Sequence, residues 1–371
     1  MVERVLIRCA VALAVLVALV GVRPAAAFAA PSNDDFANAT TISSLPFSTA
    51  QATKAATADP SDPQGCHANR SVWFAFTPDR DMLIRATTAG SGYSTVLSAW
   101  TGARGALTQQ ACNYDYDDGR DRINSRITFP ATAGTTYYLL VVAYFDDEVG
   151  RLKLSVDEAT APANDNFADA TTIGRVPFSY LAALDAASME AGEPTASCGP
   201  MRKTVWFSYT PTVTRSLTAS MNYWGGVVVH TGTSLTDLTP IGCSSRLTFR
   251  AEAGTTYHFQ VTESGCCTAE PSNGKVGFDL AVAPDPVADF VVRTPNPTVH
   301  DVVSFGNLSA DPGRTGPMSY LWEFGDGTTS TSYEPTHQYA ADGDYPVKLT
   351  ATTVDGRTAS KTVVVAVRTP A

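Results

Sequence analysis

The amino-acid sequence predicts an all-β protein built as three sandwiches in series, and three observations carry that prediction. Apolar residues alternate in short runs rich in Val, Thr, Tyr and Phe, such as Ser71-Val72-Trp73-Phe74-Ala75-Phe76, Tyr137-Tyr138-Leu139-Leu140-Val141-Val142 and Val303-Ser304-Phe305. Gly, Pro, Asn and Asp clusters separate the runs, and no long helical periodicity follows the N-terminal apolar stretch. Short strands at regular spacing with turn signals read as sandwiches. A ten-residue phrase is duplicated: Asn33-Asp34-Asp35-Phe36-Ala37-Asn38-Ala39-Thr40-Thr41-Ile42 returns as Asn164-Asp165-Asn166-Phe167-Ala168-Asp169-Ala170-Thr171-Thr172-Ile173. Each copy then runs through a cysteine, a Val-Trp-Phe strand, a Thr-Gly turn, a second cysteine and an Ala-Gly-Thr-Thr-Tyr strand start, as a duplicated domain would.

Taken in order, residues 1–27 read as a signal peptide. Arg4 and Arg8 precede an apolar run, Cys9 to Val20, and Ala25-Ala26-Ala27 supplies small residues for cleavage. The run is short for a bilayer span, and no later segment is apolar for eighteen residues, so a secreted or cell-surface product without a membrane span is expected. Pro/Ala-rich linkers at 158–163 and 281–286 then divide the chain into modules at 28–160, 161–284 and 285–371.

The formal charge of the whole chain is −10, and residues 1–27 carry a net +2, which leaves about −12 for the rest. Nucleic-acid binding needs clustered Lys and Arg, so that function class is excluded. The acidic balance favours solubility and fits a cation-binding surface.

Six cysteines follow Cys9. Export favours disulfides, and six cysteines allow 15 pairings. Cys66 and Cys112 hold the same relative places as Cys198 and Cys243, so the simplest assignment is one bridge per repeat. Each would stabilise by roughly 4 kcal/mol in the chain-entropy description. Cys266 and Cys267 are adjacent, and a vicinal bridge, a bond to another chain and two free thiols all remain open.

The third module contains Trp322-Glu323-Phe324-Gly325-Asp326-Gly327, then His337-Gln338-Tyr339, then Gly343-Asp344-Tyr345-Pro346-Val347. Trp322 and Phe324 alternate toward one face, Gly325-Asp326-Gly327 permits positive φ, and Tyr345, Val347 and Leu349 form a second inward face. Over about 85 residues this resembles a PKD domain. The resemblance implies an immunoglobulin-like sandwich that serves as an extracellular spacer or interaction module, with His337 structural.

The duplicated modules, through Asn-Asp-x-Phe-x-x-Ala, Val72-Trp73-Phe74-Ala75-Phe76, Val205-Trp206-Phe207-Ser208-Tyr209 and Ala-Gly-Thr-Thr-Tyr, resemble the pre-peptidase C-terminal domains found beside secreted bacterial peptidases. That resemblance implies two tandem jelly-roll-like β-sandwiches, non-catalytic, often calcium-binding or attaching an enzyme to its substrate.

Candidate sites lie in the loops that the two copies do not share. Asn113-Tyr114-Asp115-Tyr116-Asp117-Asp118-Gly119-Arg120-Asp121 places oxygen ligands on alternate residues, which suits a hard cation such as calcium, with Asp115, Asp117, Asp118 and Asp121 as ligands. The sixth and twelfth positions are Asp118 and Asn124, so the loop is not an EF-hand. The plainer reading is a solvated loop whose charge Arg120 and Arg122 partly offset. Asn33-Asp34-Asp35 and Asn164-Asp165-Asn166 are either further cation ligands or turn caps. For a carbohydrate platform the candidates are Tyr114, Tyr116, Tyr223 and Trp224; Trp100 reads as core, as do Trp73, Trp206 and Trp322.

The five histidines are scattered, with no H-E-x-x-H and no G-x-S-x-G elbow, so no catalytic set is expected. The sequence thus reads as a secreted, non-catalytic binding or adhesion protein for extracellular polysaccharide or surface protein, with calcium as the one candidate cofactor. The alternative is a structural spacer or accessory targeting protein of a secreted hydrolase system.

Overall fold

The computed structural model describes residues 29–63, 70–114, 116–117, 123–145, 148–195, 201, 203–221, 225–263 and 275–370. The expected signal peptide lies outside them.

Repeat 1 runs through β1 (Thr40–Ile42), β2 (Phe47–Ala52), β3 (Val72–Phe76), β4 (Met82–Thr87), β5 (Thr95–Thr101), β6 (Thr108–Asn113), the short β7 (Tyr116–Asp117) and β8 (Ile123–Asn124), then β9 (Arg126–Ala131), β10 (Tyr137–Ala143) and β11 (Arg151–Glu158). A five-stranded sheet in the order β1-β3-β10-β5-β6 faces a four-stranded sheet in the order β2-β11-β4-β9. Setting aside β1 and the β7–β8 hairpin, eight strands alternate between the sheets, except for the paired β5 and β6, in the winding of a jelly roll. β1 joins β3 in parallel, Thr40 opposite Phe74, while β3, β10 and β5 pair antiparallel.

Repeat 2 repeats the path with β12 (Thr171–Thr172), β13 (Phe178–Ala183), β14 (Thr204–Tyr209), β15 (Arg215–Met221), β16 (Gly225–Thr231), β17 (Thr239–Ser244), β18 (Arg246–Ala251), β19 (Tyr257–Glu263) and β20 (Lys275–Val282). Its sheets, β12-β14-β19-β16-β17 and β13-β20-β15-β18, match those of repeat 1 strand for strand. A cis Leu45–Pro46 peptide in the first copy and a cis Val176–Pro177 peptide in the second occupy the same turn.

Alternation along each strand decides which face enters the core. In repeat 1 Val72, Phe74, Ile84, Leu97, Leu139, Val141 and Phe129 meet between the sheets. In repeat 2 Val205, Phe207, Leu217, Val227, Phe259, Val261 and Phe249 take the matching places. Burial of this apolar surface, at about 25 cal/mol per Å², is the main favourable term for each sandwich.

The third module has β21 (Phe290–Val292), β22 (Val303–Asn307), β23 (Ser319–Glu323), β24 (Thr329–Ser330), β25 (Thr336–His337), β26 (Gly343–Thr352) and β27 (Thr358–Val367). They form a β21-β22-β25 sheet and a β24-β23-β26-β27 sheet, an immunoglobulin-like sandwich. Trp322 is wholly buried between them against Phe290 and Phe305, with its indole N–H donating to the Ser332 carbonyl at 2.9 Å. Gly325 has φ of 87°, and a Cβ there would stand 2.9 Å from the backbone nitrogen of Pro346, so only glycine fits.

Candidate functional site

The duplicated phrase is a latch. Asn33 is buried; its Nδ2 donates to the Trp73 carbonyl at 2.9 Å, and its own carbonyl accepts the Trp73 amide at 2.9 Å. Asp34 accepts from the Thr57 amide and hydroxyl at 2.8 and 2.7 Å. Phe36 stands edge-on to Trp73 with ring centres 5.0 Å apart. In repeat 2 Asn164 pairs with Trp206, Asp165 with the amide and hydroxyl of Ser188, and Phe167 with the Trp206 ring. Both copies thus press a covering segment onto the outward face of the five-stranded sheet. The Asp34 and Asp165 carboxylates are engaged by protein donors 23 residues further on, so they tie the motif to a distant segment and do not cap its own turn.

That outward face differs between the copies. In repeat 1 it is a second apolar cluster of Trp73, Val96, Trp100, Leu140 and Val142, with Phe36, Tyr114, Tyr138 and Tyr144 against it. Trp100 is buried here, with its N–H donating to the Ser98 hydroxyl at 2.7 Å. Asp62 is buried and accepts from the Ser71 hydroxyl at 2.6 Å, and burial pushes its carboxyl up.

In repeat 2 the same strand positions carry a polar chain. The cross-strand pair Trp100–Tyr138 becomes His230–His258, and Leu140 becomes Gln260. Glu193, 8% exposed, accepts from the Thr204 hydroxyl at 2.7 Å, the Gln260 amide at 2.9 Å, the Glu190 backbone at 3.0 Å and the Trp206 indole at 3.4 Å. A carboxylate only accepts, so the Gln260 NH2 faces Glu193 and its oxygen faces His230 Nε2 at 3.1 Å. His230 therefore donates from Nε2, and its Nδ1 has no partner among the described residues. Burial lowers the pKa of both histidines, and His258 adds to the lowering at His230. The arrangement is a buried hydrogen-bonded network; among the described residues no group of three or more His, Cys, Asp or Glu is placed to hold a metal.

Of the residues expected to bind, Asp115, Asp118, Asp121, Tyr223 and Trp224 lie outside the described residues, and Tyr116 and Asp117 are placed only as the backbone of β7. Tyr114 is half-buried and packs 5.7 Å from Tyr144, whose ring meets Phe145 edge-on at 4.7 Å. Phe145 is 48% exposed. Tyr144 and Phe145 thus extend an aromatic strip that the sequence signals only as a Tyr-Phe pair at the end of the Tyr137–Ala143 strand. Cys112 and Cys243, at matched strand positions, are each disulfide-bonded. Cys66, Cys198, Cys266 and Cys267 lie outside the described residues.

The third module offers a shallow groove of about 390 Å³ lined by Glu323, Gly325, Thr328, Pro346, Lys348 and Thr362, with Glu323 and Lys348 paired at 3.1 Å. Beside it His337 stacks on Phe324 and meets the Asp326 carboxylate at 2.7 Å. Burial alone would raise the Asp326 carboxyl, but Thr328 and His337 bring it down to about 2. The cluster braces the Gly325-Asp326-Gly327 turn, a structural role for His337.

The fold and these turn residues define an immunoglobulin-like module at the C-terminus, and comparison with known proteins gives its family. Residues 283–367 match the PKD domain family. "Microbial collagenase" of Vibrio alginolyticus is 41% identical over 64 residues, 17% of this chain and 8% of that protein. "Collagenase ColA" of Bacillus cereus is 47% identical over 51 residues, 14% of this chain and 5% of that protein. The chain therefore spans only a small part of the length of either relative. The PKD1 domain from Vibrio cholerae metalloprotease PrtV is 36% identical, with 23% of this chain and 100% of that structure aligned and a TM-score of 0.21.

Proposed function

We propose that this chain is an exported, non-catalytic accessory protein of a secreted hydrolase system, one that spaces or targets a partner enzyme on an extracellular substrate. The observation that carries the reading is the PKD segment, which is 41% and 47% identical to segments of two collagenases. The two jelly-roll modules fit it as pre-peptidase C-terminal-like domains, with loops at the sandwich ends free to differ. Among the described residues no helix is long and apolar enough to cross a membrane.

The binding contacts we assign to the aromatic strip Tyr114, Tyr144 and Phe145 and to the segments holding Tyr116, Tyr223 and Trp224. Exposed rings recognise the apolar faces of sugars or of protein side chains. Calcium would be held by Asp115, Asp117, Asp118 and Asp121, and the disulfides would pair Cys66 with Cys112 and Cys198 with Cys243. The test is retention of the full chain on insoluble polysaccharide and insoluble protein, together with recovery of a secreted hydrolase on the immobilised chain. Retention or hydrolase recovery that falls at least tenfold in Phe145→Ala/Trp224→Ala with the fold intact supports the reading. Turnover of a glycan or peptide by the purified chain overturns it. A melting point unchanged by chelator, with no bound ion, removes calcium.

A further inference from the structure

We propose that the outward face of the four-stranded sheet is a module-docking surface used twice: repeat 1 holds repeat 2 on it, and repeat 2 holds the PKD module, making the chain a rod with two fixed joints. The partner this face fits is an acid-bearing turn of the module that follows.

The two joints use matching strands, β4 and β9 in repeat 1 and β15 and β18 in repeat 2, and one matching contact position, Arg126 and Arg246. In repeat 1, Arg85 on β4 and Arg126 on β9 project from the outward face, and both reach Asp185 of repeat 2, at 4.0 and 3.5 Å. Arg85 is anchored on its own sheet by two 3.0 Å bonds to Asp157. The Asp185 side chain keeps only 13% of its exposure, and its backbone carbonyl accepts from Lys203 at 3.2 Å. In repeat 2 the position of Arg126 is held by Arg246, and that of Thr128 by Thr248, since both precede the matched Phe129 and Phe249. Arg246 donates to the Pro312 carbonyl at 3.4 Å and Thr248 to the Gly313 carbonyl at 2.7 Å. The Ser216 hydroxyl on β15 lies near enough to the Asp355 carboxylate to help hold its pKa below the usual carboxylate range.

Burial points the same way. Ser216 and Thr218 point away from the core of repeat 2, yet they are only 7% and 5% exposed. An outward sheet face open to water would leave such hydroxyls wet. On the PKD side, Arg357 is 10% exposed between Asp311 and Asp355, at 3.0 and 2.8 Å, and also donates to the Pro284 carbonyl of the linker. A buried guanidinium held between two carboxylates has a single geometry, so the turns it joins present a fixed surface to repeat 2.

This inference deepens the spacer reading, and its failure is distinguishable, because it is read in distances between modules and not in retention or turnover. In the full chain, nitroxides introduced through a noncanonical amino acid at exposed strand positions report distance distributions across each joint. The expected result is one narrow distribution per joint. Arg126→Glu should at least double the width across the first joint and leave the second unchanged, and Arg126→Glu/Asp185→Arg should restore it. Thr248→Glu should broaden the second joint alone. An unaltered melting profile in each variant confirms that the sandwiches themselves are intact, and the charge-swapped pair serves if a single variant misfolds. Broad distributions in the unmodified chain, or widths that neither variant changes, overturn the proposal. Failure of the charge swap to restore the first joint overturns the Arg126–Asp185 contact as its lock.

Discussion

On the outward face of repeat 1, Leu140 lies beside Trp73, and Tyr138 pairs with Trp100. In repeat 2 the same places hold Gln260 beside Trp206 and His258 opposite His230. The inward faces of the two copies stay apolar throughout. A β-strand presents its residues alternately, so one face can change its chemistry while the other keeps the sandwich closed. The divergence is tolerable because most polar groups of repeat 2 satisfy one another: Glu193 collects four donors, and Gln260 relays to His230, whose Nδ1 has no partner among the described residues. A polar network in a buried layer must be completed in this way, since each unpartnered group costs about 1–3 kcal/mol.

The largest effects come from the tryptophan that both copies keep. Trp73→Ala and Trp206→Ala should each cost about 3–5 kcal/mol by denaturant unfolding, because each ring is wholly buried. A large inequality between them would show that one outward face carries little of the load. Glu193→Ala should cost about 2–4 kcal/mol by removing the carboxylate that accepts from Thr204, Gln260 and the Glu190 amide, whereas Asp62→Ala, with its bond to Ser71, should cost about 1–2 kcal/mol. Equal costs would mean that the polar chain is not the special feature of repeat 2. Asn33→Ala and Asn164→Ala should each cost about 1–2 kcal/mol, since both latches make the same bonds to the tryptophan backbone. Hydrogen exchange of the β1 and β12 amides would show the two copies loosening alike.

Much of this was legible in the residues. The alternation around Trp73, Trp206 and Trp322 indicates three buried strands, and the duplicated phrase indicates two equivalent folds. The PKD motif is legible because its glycines answer to backbone geometry, as Gly325 does against Pro346. What resists reading is the second layer. The Asp34 carboxylate finds Thr57 and the Asp165 carboxylate finds Ser188, each 23 residues on, through segments without periodicity. Nothing local separates such an acid from a cation ligand. Glu193 and His230 are likewise brought together only by the sheet and its cover. Trp100 does read as core, but alternation alone does not say that it belongs to the outer cluster and not to the space between the sheets.

The divergence of the two outward faces has a direct readout in acid. His230 and His258 have pKa values lowered by burial below the ordinary 6.5. A proton added at His230 Nδ1 would enter a buried place with no acceptor among the described residues. The groups facing the pair are Glu193 through Gln260, Asp237 near His258, and the rings of Trp206 and Phe167. The folded form binds fewer protons than the unfolded chain, so the stabilisation from this pair is full above pH 6.5 and is lost as pH falls below it through the folded values. Hydrogen exchange of the full chain at pH 7 and pH 5, corrected for intrinsic rates, tests this claim. Protection should fall in β16 and β19 of repeat 2 and hold in β5 and β10 of repeat 1. Equal loss in both repeats, or none in either, would contradict it.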